Sequence, residues 1–101
     1  MQNAKLFLII GPSGVGKGTA LRIIKKKHPE WFFPVSFTTR SKRPAEKDGA
    51  TYHFINKAEF EEKIQNKFFL EWQTVHGQDL YGTDRQSIEN SLQNGVHAIR
   101  E

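Results

Sequence analysis

The sequence predicts an α/β fold with a parallel core sheet, and three features near its start support this prediction. Residues 6–10 form an uninterrupted apolar run, which is typical of a strand buried on both faces of a parallel sheet. A glycine-rich loop follows at residues 11–16. From Lys17 onward, apolar residues recur at helical spacing. We therefore expect a strand, a loop and a helix in succession.

The first helix is predicted to bury one apolar stripe and to end before Pro29. The stripe comprises Ala20, Ile23 and Ile24, with Leu21 beside it. Lysines at residues 25–27 suit the negative end of the helix dipole, and proline cannot continue a helix.

The rest of the chain alternates between predicted strands and helices. Strands are expected near residues 32–37, over 52–55, over 68–75 and from 96 to 99, and an irregular polar segment over 38–51.

Two further helices have recognisable start signals. Asn56 and Glu59 have the spacing of a capping box, which predicts a helix to about residue 66 with Phe60 and Ile64 facing inward. A last helix is expected after the run Tyr81-Gly82-Thr83. Thr83 is predicted as its cap, Gln86 as its third residue and Gly95 as its end.

Composition narrows the class of protein. A chain of 101 residues with 37% hydrophobic content suits one small domain, and its two tryptophans and eight phenylalanines are predicted to be core residues. Zero cysteines exclude a disulfide framework or a cysteine-based zinc site, and no secretory signal pattern is present, so we expect a cytoplasmic protein. The longest apolar run is too short to span a membrane. A net charge of +4 favours anionic partners such as nucleotides, nucleic acid or acidic lipid.

The glycine-rich loop follows the phosphate-binding pattern G-x-x-x-x-G-K-[ST], except that Gly18 stands in the hydroxyl position. Successive backbone N–H groups in such a loop converge on phosphate oxygens, and Lys17 reaches the outer phosphates. Ser13 and Thr19 either contact phosphate or merely cap the helix. The candidate donor-phosphate residues are Gly11, Pro12, Ser13, Gly14, Val15, Gly16, Lys17, Gly18 and Thr19.

The missing hydroxyl at Gly18 weakens the motif without cancelling metal use. Mg²⁺ keeps several waters and takes much of its coordination from phosphate oxygens, so no side chain is identified as its ligand. The run Lys17-Gly18-Thr19 is similar to the loop of nucleoside monophosphate kinases, notably adenylate kinases.

A second constellation spans residues 36–54, with the sequence SFTTRSKRPAEKDGATYHF. It fits S-x-T-T-R-x-x-R-x-x-E-x-x-G-x-x-Y-x-F, and FLEW and YGT follow further along the chain. Together with the phosphate loop, this pattern resembles the guanylate kinase family over essentially the whole chain. The resemblance implies a P-loop nucleoside monophosphate kinase fold, with a parallel core sheet and an inserted GMP-binding segment.

The resemblance also implies the reaction and the role of each residue. The γ-phosphoryl group of ATP would pass to GMP, with Mg²⁺ as cofactor, giving ADP and GDP. Catalysis would depend on Lys17, Arg40 and Arg43. Glu46 would orient an arginine, and the GMP-binding residues would be Ser36, Arg40, Arg43, Glu46, Tyr52, Glu71, Tyr81 and Thr83.

The chemistry of these side chains agrees with the implied roles. Paired arginines grip a phosphate through forked, charge-assisted hydrogen bonds. The Glu71 carboxylate can accept from N1–H and the exocyclic amine of guanine, whereas N1 of adenine is itself an acceptor. Taken singly, each of these residues also fits an ordinary role: a solvated charge, a strand-edge carboxylate or a half-buried core tyrosine.

The chain departs from the family pattern at two places. The run from Gly77 to Gly82 has one residue more than usual, and Leu80 replaces a tyrosine, which affects the placement of Tyr81. The chain is also about half the length of family members, so the C-terminal half, with the lid arginines and an acidic core residue, is expected to be absent. Such a fragment alone is expected to be inactive.

The expected organisation has three parts. Residues 1–35 start the P-loop core, residues 36–88 form the GMP-binding segment, and residues 89–101 return to the core. The resemblance implies that the middle segment closes towards the loop. ATP and GMP are the expected partners, without nucleic acid or membrane. The main alternative is a non-catalytic module that binds phosphopeptides, and the others are nucleic-acid binding and an adenylate kinase.

Overall fold

The computed structural model describes residues 4–9, 17–75 and 77–100, with the side chains of Lys17 and Gly18 excepted. The chain divides into two compact units, one formed by Met1–Pro34 with Ser87–Glu101 and the other by Val35–Gln86. In chain order the elements are β1 (Leu6–Leu8), α1 (Lys17–Lys27), β2 (Phe37–Thr38), β3 (His53–Phe54), α2 (Lys57–Gln65), β4 (Phe69–Val75), β5 (Asp79–Asp84), α3 (Arg85–Gln93) and β6 (Ala98–Arg100).

The first unit contains a parallel sheet centred on β6. Strand β1 pairs with β6 in parallel, with Leu6 opposite Ala98. On the other side of β6, Phe32 forms a parallel bridge with Ala98, and Ile99 N–H donates to the Phe32 carbonyl at 3.0 Å. Ala98 and Ile99 are buried. The α/β class with a parallel core sheet is therefore confirmed.

Two predicted apolar surfaces of this unit are more exposed than the sequence suggests. Phe7 and Leu8 of β1 are 38% and 50% exposed, so a strand buried on both faces is wrong for the described residues. Ile23 on α1 is also half-exposed. Within the described residues β1 pairs only with β6, and Phe7 stacks on Trp31 at 5.4 Å while keeping part of its surface exposed.

The second unit is a four-stranded mixed sheet with α2 against one face. The strand order is β3-β2-β5-β4; β2 and β3 are parallel, and the other two pairs are antiparallel. Phe60 from α2 packs against Phe69 and Leu80 of the sheet, and these three form its buried core. This apolar face leaves the opposite face of the sheet for polar side chains.

The helix boundaries in this unit follow from local chemistry. Asn56 accepts a hydrogen bond from the Glu59 N–H at 2.7 Å, and the Glu59 carboxylate accepts from the Asn56 N–H at 3.3 Å. The predicted capping box is thus confirmed. Helix α3 ends two residues before Gly95, whose φ of 75° is the left-handed conformation that glycine adopts readily.

Three element predictions are corrected. The single strand expected near residues 32–37 is two pieces, a bridge at Phe32 and strand β2, because they pair in different sheets. No strand is predicted over Asp79–Asp84, where the sequence indicates only a short run before a helix, but the structure has strand β5 there. Thr83 does not cap α3: it is buried within β5, and the carboxylate of Asp84 instead accepts from the Gln86 N–H at 2.9 Å.

Trp72 is not a core residue, since it is 45% exposed on the edge strand β4. Among the described residues, no helix is long and apolar enough to cross a membrane.

Candidate functional site

One face of the four-stranded sheet gathers polar residues from three strands. Thr83 on β5 lies directly opposite Glu71 on β4, and Tyr81 lies opposite both Gln73 on β4 and Thr38 on β2. Directly opposed residues project from the same face of a sheet. We call this side of the sheet, defined by Thr38, Glu71, Gln73, Tyr81 and Thr83, the polar face.

A forked ion pair between Arg40 and Glu46 forms where the chain leaves β2. The two terminal guanidinium nitrogens of Arg40 donate to the two carboxylate oxygens of Glu46, at 3.1 and 2.8 Å. These side chains are only 16% and 14% exposed. Glu46 also accepts from the backbone N–H of Arg43 at 2.8 Å, so one carboxylate ties the two arginines together.

This pairing shifts both titrations in favour of the charged forms. Hydrogen bonds from the Arg40 side chain and then from the Arg43 backbone lower the pKa of Glu46 to about 2. The pKa of Arg40 is raised above its ordinary value, first by the hydrogen bonds to Glu46; desolvation opposes this increase, and the neighbouring Tyr81 side chain adds to it. A fixed positive charge therefore stands beside Tyr81.

Aromatic rings enclose the Arg40 guanidinium. Its central carbon lies 5.3 Å from the ring centroid of Tyr52 and 5.7 Å from that of Phe54. Tyr52 in turn contacts Tyr81 edge-on, with ring centroids 5.5 Å apart. These contacts, within the range of cation–π attraction, restrict where the cation can point. The structure thus brings together four of the predicted acceptor-site residues: Arg40, Glu46, Tyr52 and Tyr81.

A turn presents Tyr52 to this cluster. Gly49 has a φ of 87° and donates its N–H to the Tyr52 carbonyl at 2.7 Å. The Asp48 carboxylate accepts from the Phe54 N–H at 2.9 Å, closing the same turn. The glycine of the sequence pattern is therefore explained by backbone geometry, because a residue with a Cβ is strained at that φ.

Arg43 and Ser36 flank the cluster. The Arg43 side chain is exposed, and among the described residues its guanidinium has no hydrogen bond or ion pair. Ser36 is half-buried and precedes β2, and its carbonyl accepts from the His53 N–H at 2.9 Å. Neither side chain forms a hydrogen bond to the Arg40–Glu46 pair, but the charge of Arg43 helps to lower the pKa of Glu46.

Glu71 and Thr83 lie further along the polar face. Glu71 is half-buried and Thr83 is buried. An open groove of about 360 Å³ lies along β4, and Glu71 lines it together with Ile64, Phe69 and Trp72, which pack on the side of the sheet that α2 covers. This volume lies within the range of small-molecule sites.

The phosphate loop lies largely outside the described residues. This applies to the predicted residues Gly11, Pro12, Ser13, Gly14, Val15 and Gly16, and to the side chains of Lys17 and Gly18. Thr19 is described: it is exposed in the first turn of α1, and its hydroxyl accepts from Arg22 at 3.3 Å.

Sequence reasoning missed the contribution of Thr38 and Thr39. Thr38 is fully buried, and both hydroxyls bond to the backbone of Leu80 on β5. Their position directly before Arg40, inside the pattern S-x-T-T-R, is the signal that could have identified them.

No group of three or more histidine, aspartate or glutamate side chains in the described part of the chain is arranged to hold a metal ion. A Mg²⁺ ion bound through nucleotide phosphates and water does not need such a group, so the side chains present are compatible with it.

Comparison with known proteins gives one consistent family. A sequence model described as guanylate kinase matches residues 3–100. The chain is 45% identical over 101 residues to a guanylate kinase of Synechococcus sp., covering 100% of this chain and 55% of the relative. It is 43% identical over 101 residues to a guanylate kinase of Carboxydothermus hydrogenoformans, covering 49% of that protein.

A solved structure gives the same result. The crystal structure of guanylate kinase from Anaplasma phagocytophilum superposes with a TM-score of 0.73 at 26% identity, covering 97% of this chain and 46% of that one. The chain thus spans about half the length of the curated relatives it matches. The family model, the relatives and the shared fold agree, and the chain belongs to the guanylate kinase family.

Proposed function

We propose that the protein is a guanylate kinase, a phosphotransferase that moves the γ-phosphoryl group of ATP to GMP and yields ADP and GDP. The observation that carries this proposal is the forked Arg40–Glu46 pair, enclosed by Tyr52 and Tyr81 at one end of the polar face. A carboxylate that matches guanine, Glu71, lies on the same face. The proposal places the protein in purine nucleotide metabolism.

The GMP phosphate would bind at Arg40 and Arg43, with the hydroxyls of Tyr52 and Tyr81 as further donors. A guanidinium has five N–H groups, and Arg40 makes three hydrogen bonds, two to Glu46 and one to the Ser41 carbonyl. Donor capacity therefore remains for a phosphate oxygen. The exposed guanidinium of Arg43 is free within the described chain to complete a two-arginine grip.

The guanine base would lie against Glu71, Thr83 and Ser36. The Glu71 carboxylate, opposite Thr83 on the polar face, would accept from N1–H and the exocyclic amine. AMP would leave that carboxylate unmatched, since adenine presents an acceptor at N1. Unpaired polar groups in a desolvated site reject a wrong substrate strongly.

The donor side would consist of the amides of residues 11–19 and the amine of Lys17. Mg²⁺ bound to ATP phosphates supplies positive charge for the group in transfer. Lys17 and the two arginines would balance the negative charge of the reacting phosphates, which is the main task of a protein in phosphoryl transfer. We assign residues 1–35 and 89–101 to the core and residues 36–88 to GMP binding.

Localisation and partners follow from the same proposal. The absence of cysteine and the nucleotide substrates support a cytoplasmic protein with ATP and GMP as its partners.

The test is a steady-state assay of the full-length protein with Mg-ATP and either GMP or AMP, with products separated by chromatography. Formation of GDP and ADP, at a kcat/KM for GMP at least about a thousandfold above that for AMP, supports the proposal. Binding of a phosphopeptide without any GDP formation would instead favour a non-catalytic module. Preferential use of AMP would indicate an adenylate kinase.

A further inference from the structure

Two consecutive threonines hold both backbone polar groups of one residue in β5. The hydroxyl of Thr38 donates to the Leu80 carbonyl at 2.9 Å, and the N–H of Thr39 donates to the same oxygen at 3.1 Å. The Leu80 N–H donates to the hydroxyl of Thr39 at 2.9 Å. Three hydrogen bonds thus fasten the end of β2 to a single position of β5.

The Thr38 hydroxyl makes a second contact that reaches Arg40. Its oxygen accepts from the backbone N–H of Arg40 at 3.1 Å while its proton is committed to Leu80. Thr38 has no exposed surface, so neither partner can be replaced by water without rearrangement. The main chain of Arg40 is therefore held at a fixed place relative to Leu80.

The residue after Leu80 is Tyr81, which lies opposite Thr38 in the β2–β5 pair. Its ring contacts the ring of Tyr52 at 5.5 Å, and the Arg40 guanidinium lies 5.3 Å from that same Tyr52 ring. Through its bonds to Leu80 and Arg40, Thr38 therefore fixes the distance between the main chain of Arg40 and that of Tyr81. The Glu46 carboxylate bonds to the Arg40 side chain and the Arg43 backbone, so it sets the direction of the guanidinium rather than this distance.

We propose that Thr38 and Thr39 are positioning residues that fix Arg40 against Tyr81 so that both meet the phosphate of GMP. This inference rests on the proposed function. Neither threonine needs to contact substrate: their hydroxyls act through the backbone of Leu80 and Arg40. A misplacement of about 1 Å at a phosphate-gripping side chain is enough to weaken binding markedly.

The test uses steady-state kinetics of the full-length protein. Thr38→Val preserves shape but removes the acceptor for the Arg40 N–H, whereas Thr38→Ser keeps the hydroxyl. The matched control is Thr74→Val, an exposed residue that also lies opposite Leu80, across the β4–β5 pair. We expect Thr38→Val to raise KM for GMP about tenfold, with KM for ATP and kcat within about twofold of wild type.

Thr38→Ser and Thr74→Val are expected to behave like wild type. A purely structural role would reduce the active fraction, and so kcat, without changing KM for GMP. An unchanged KM for GMP in Thr38→Val, while Arg40→Ala raises it, overturns the positioning role. If wild type uses no GMP, or Arg40→Ala leaves KM unchanged, the proposed function fails instead.

Hydrogen exchange of the wild-type protein provides a readout that does not depend on a folded Thr38 variant. The Arg40 amide should exchange at least about a hundredfold more slowly than the amide of Ser41, for which the described chain offers no hydrogen bond. Equal exchange rates for the two amides would show that the Thr38 contact does not hold Arg40, and would overturn the inference.

Discussion

Glu46 holds Arg40 by two N–H···O bonds of 3.1 and 2.8 Å, and the pair is mostly shielded from solvent between Tyr52 and the turn that follows Arg43. The carboxylate also accepts from the Arg43 backbone. A single acidic side chain therefore organises both cationic residues of the proposed phosphate site.

The first prediction concerns acid stability. The pKa of Glu46 falls from 4.5 to about 2 on folding, so its contribution is present above about pH 4.5 and is lost as the pH falls towards 2. Wild type is expected to melt at a higher temperature than Glu46→Gln at about pH 7, and the two should converge near pH 2. Thermal melts across this range measure the difference. If the difference in melting temperature between wild type and Glu46→Gln stays constant with pH, the ionised carboxylate does not contribute to stability.

The second prediction concerns affinity for GMP. Arg40→Ala removes a partly desolvated phosphate ligand and leaves Glu46 without its partner, so the Kd for GMP should rise on the order of a hundredfold. Calorimetry on the full-length protein measures this, with Lys57→Ala, an exposed cation at the start of α2, as the control. Equal Kd values in the two variants would refute the assignment of Arg40.

The third prediction concerns base selectivity. Glu71→Gln replaces one acceptor oxygen by an amide donor, so the preference for GMP over AMP should fall at least about tenfold. The loss should appear in kcat/KM for GMP. The comparison variant is Gln73→Glu, which changes the charge two residues further along the same face. It tests whether the effect on base selectivity depends on the position of Glu71. Selectivity that survives Glu71→Gln would mean that another residue reads the base.

The fourth prediction concerns the packing behind the polar face. A Cβ on Gly82 would lie 2.8 Å from Cδ1 and 3.0 Å from Cγ of the buried Phe69 ring. Gly82→Ala should therefore lower the free energy of unfolding by about 1–3 kcal/mol, because the ring must shift within a packed core. Denaturant unfolding measures the loss. In a Phe69→Leu background, Gly82→Ala should lower the free energy of unfolding by a smaller amount. If the losses of the two single variants simply add in the double variant, the contact between these positions is contradicted.

Patterns that depend on neighbours in the sequence predicted the structure well. The capping box at Asn56 and Glu59 was confirmed because both hydrogen bonds are local. The helix ending before Gly95 follows from a backbone preference of glycine. The orienting role given to Glu46 has its counterpart in a contact between residues only six apart.

Features that depend on distant pairing could not be read from the sequence. Strand β5 alternates Leu80 and Gly82 towards the core with Tyr81 and Thr83 away from it, but a glycine in a short run also indicates a turn. The contacts of Thr38 and Thr39 cross 42 and 41 residues, so no local spacing reveals them. The exposure of Trp72 likewise depends on β4 being an edge strand.

GMP is proposed to bind the polar face of the second unit, and this binding can be measured directly. The measurement is a titration of the ¹⁵N-labelled full-length protein with GMP, followed by amide chemical shifts, with AMP as the comparison. The largest shifts are predicted at Arg40, Arg43, Tyr81 and Thr83, with much smaller shifts from AMP. Shifts confined to α2, or none at millimolar GMP, would contradict the account.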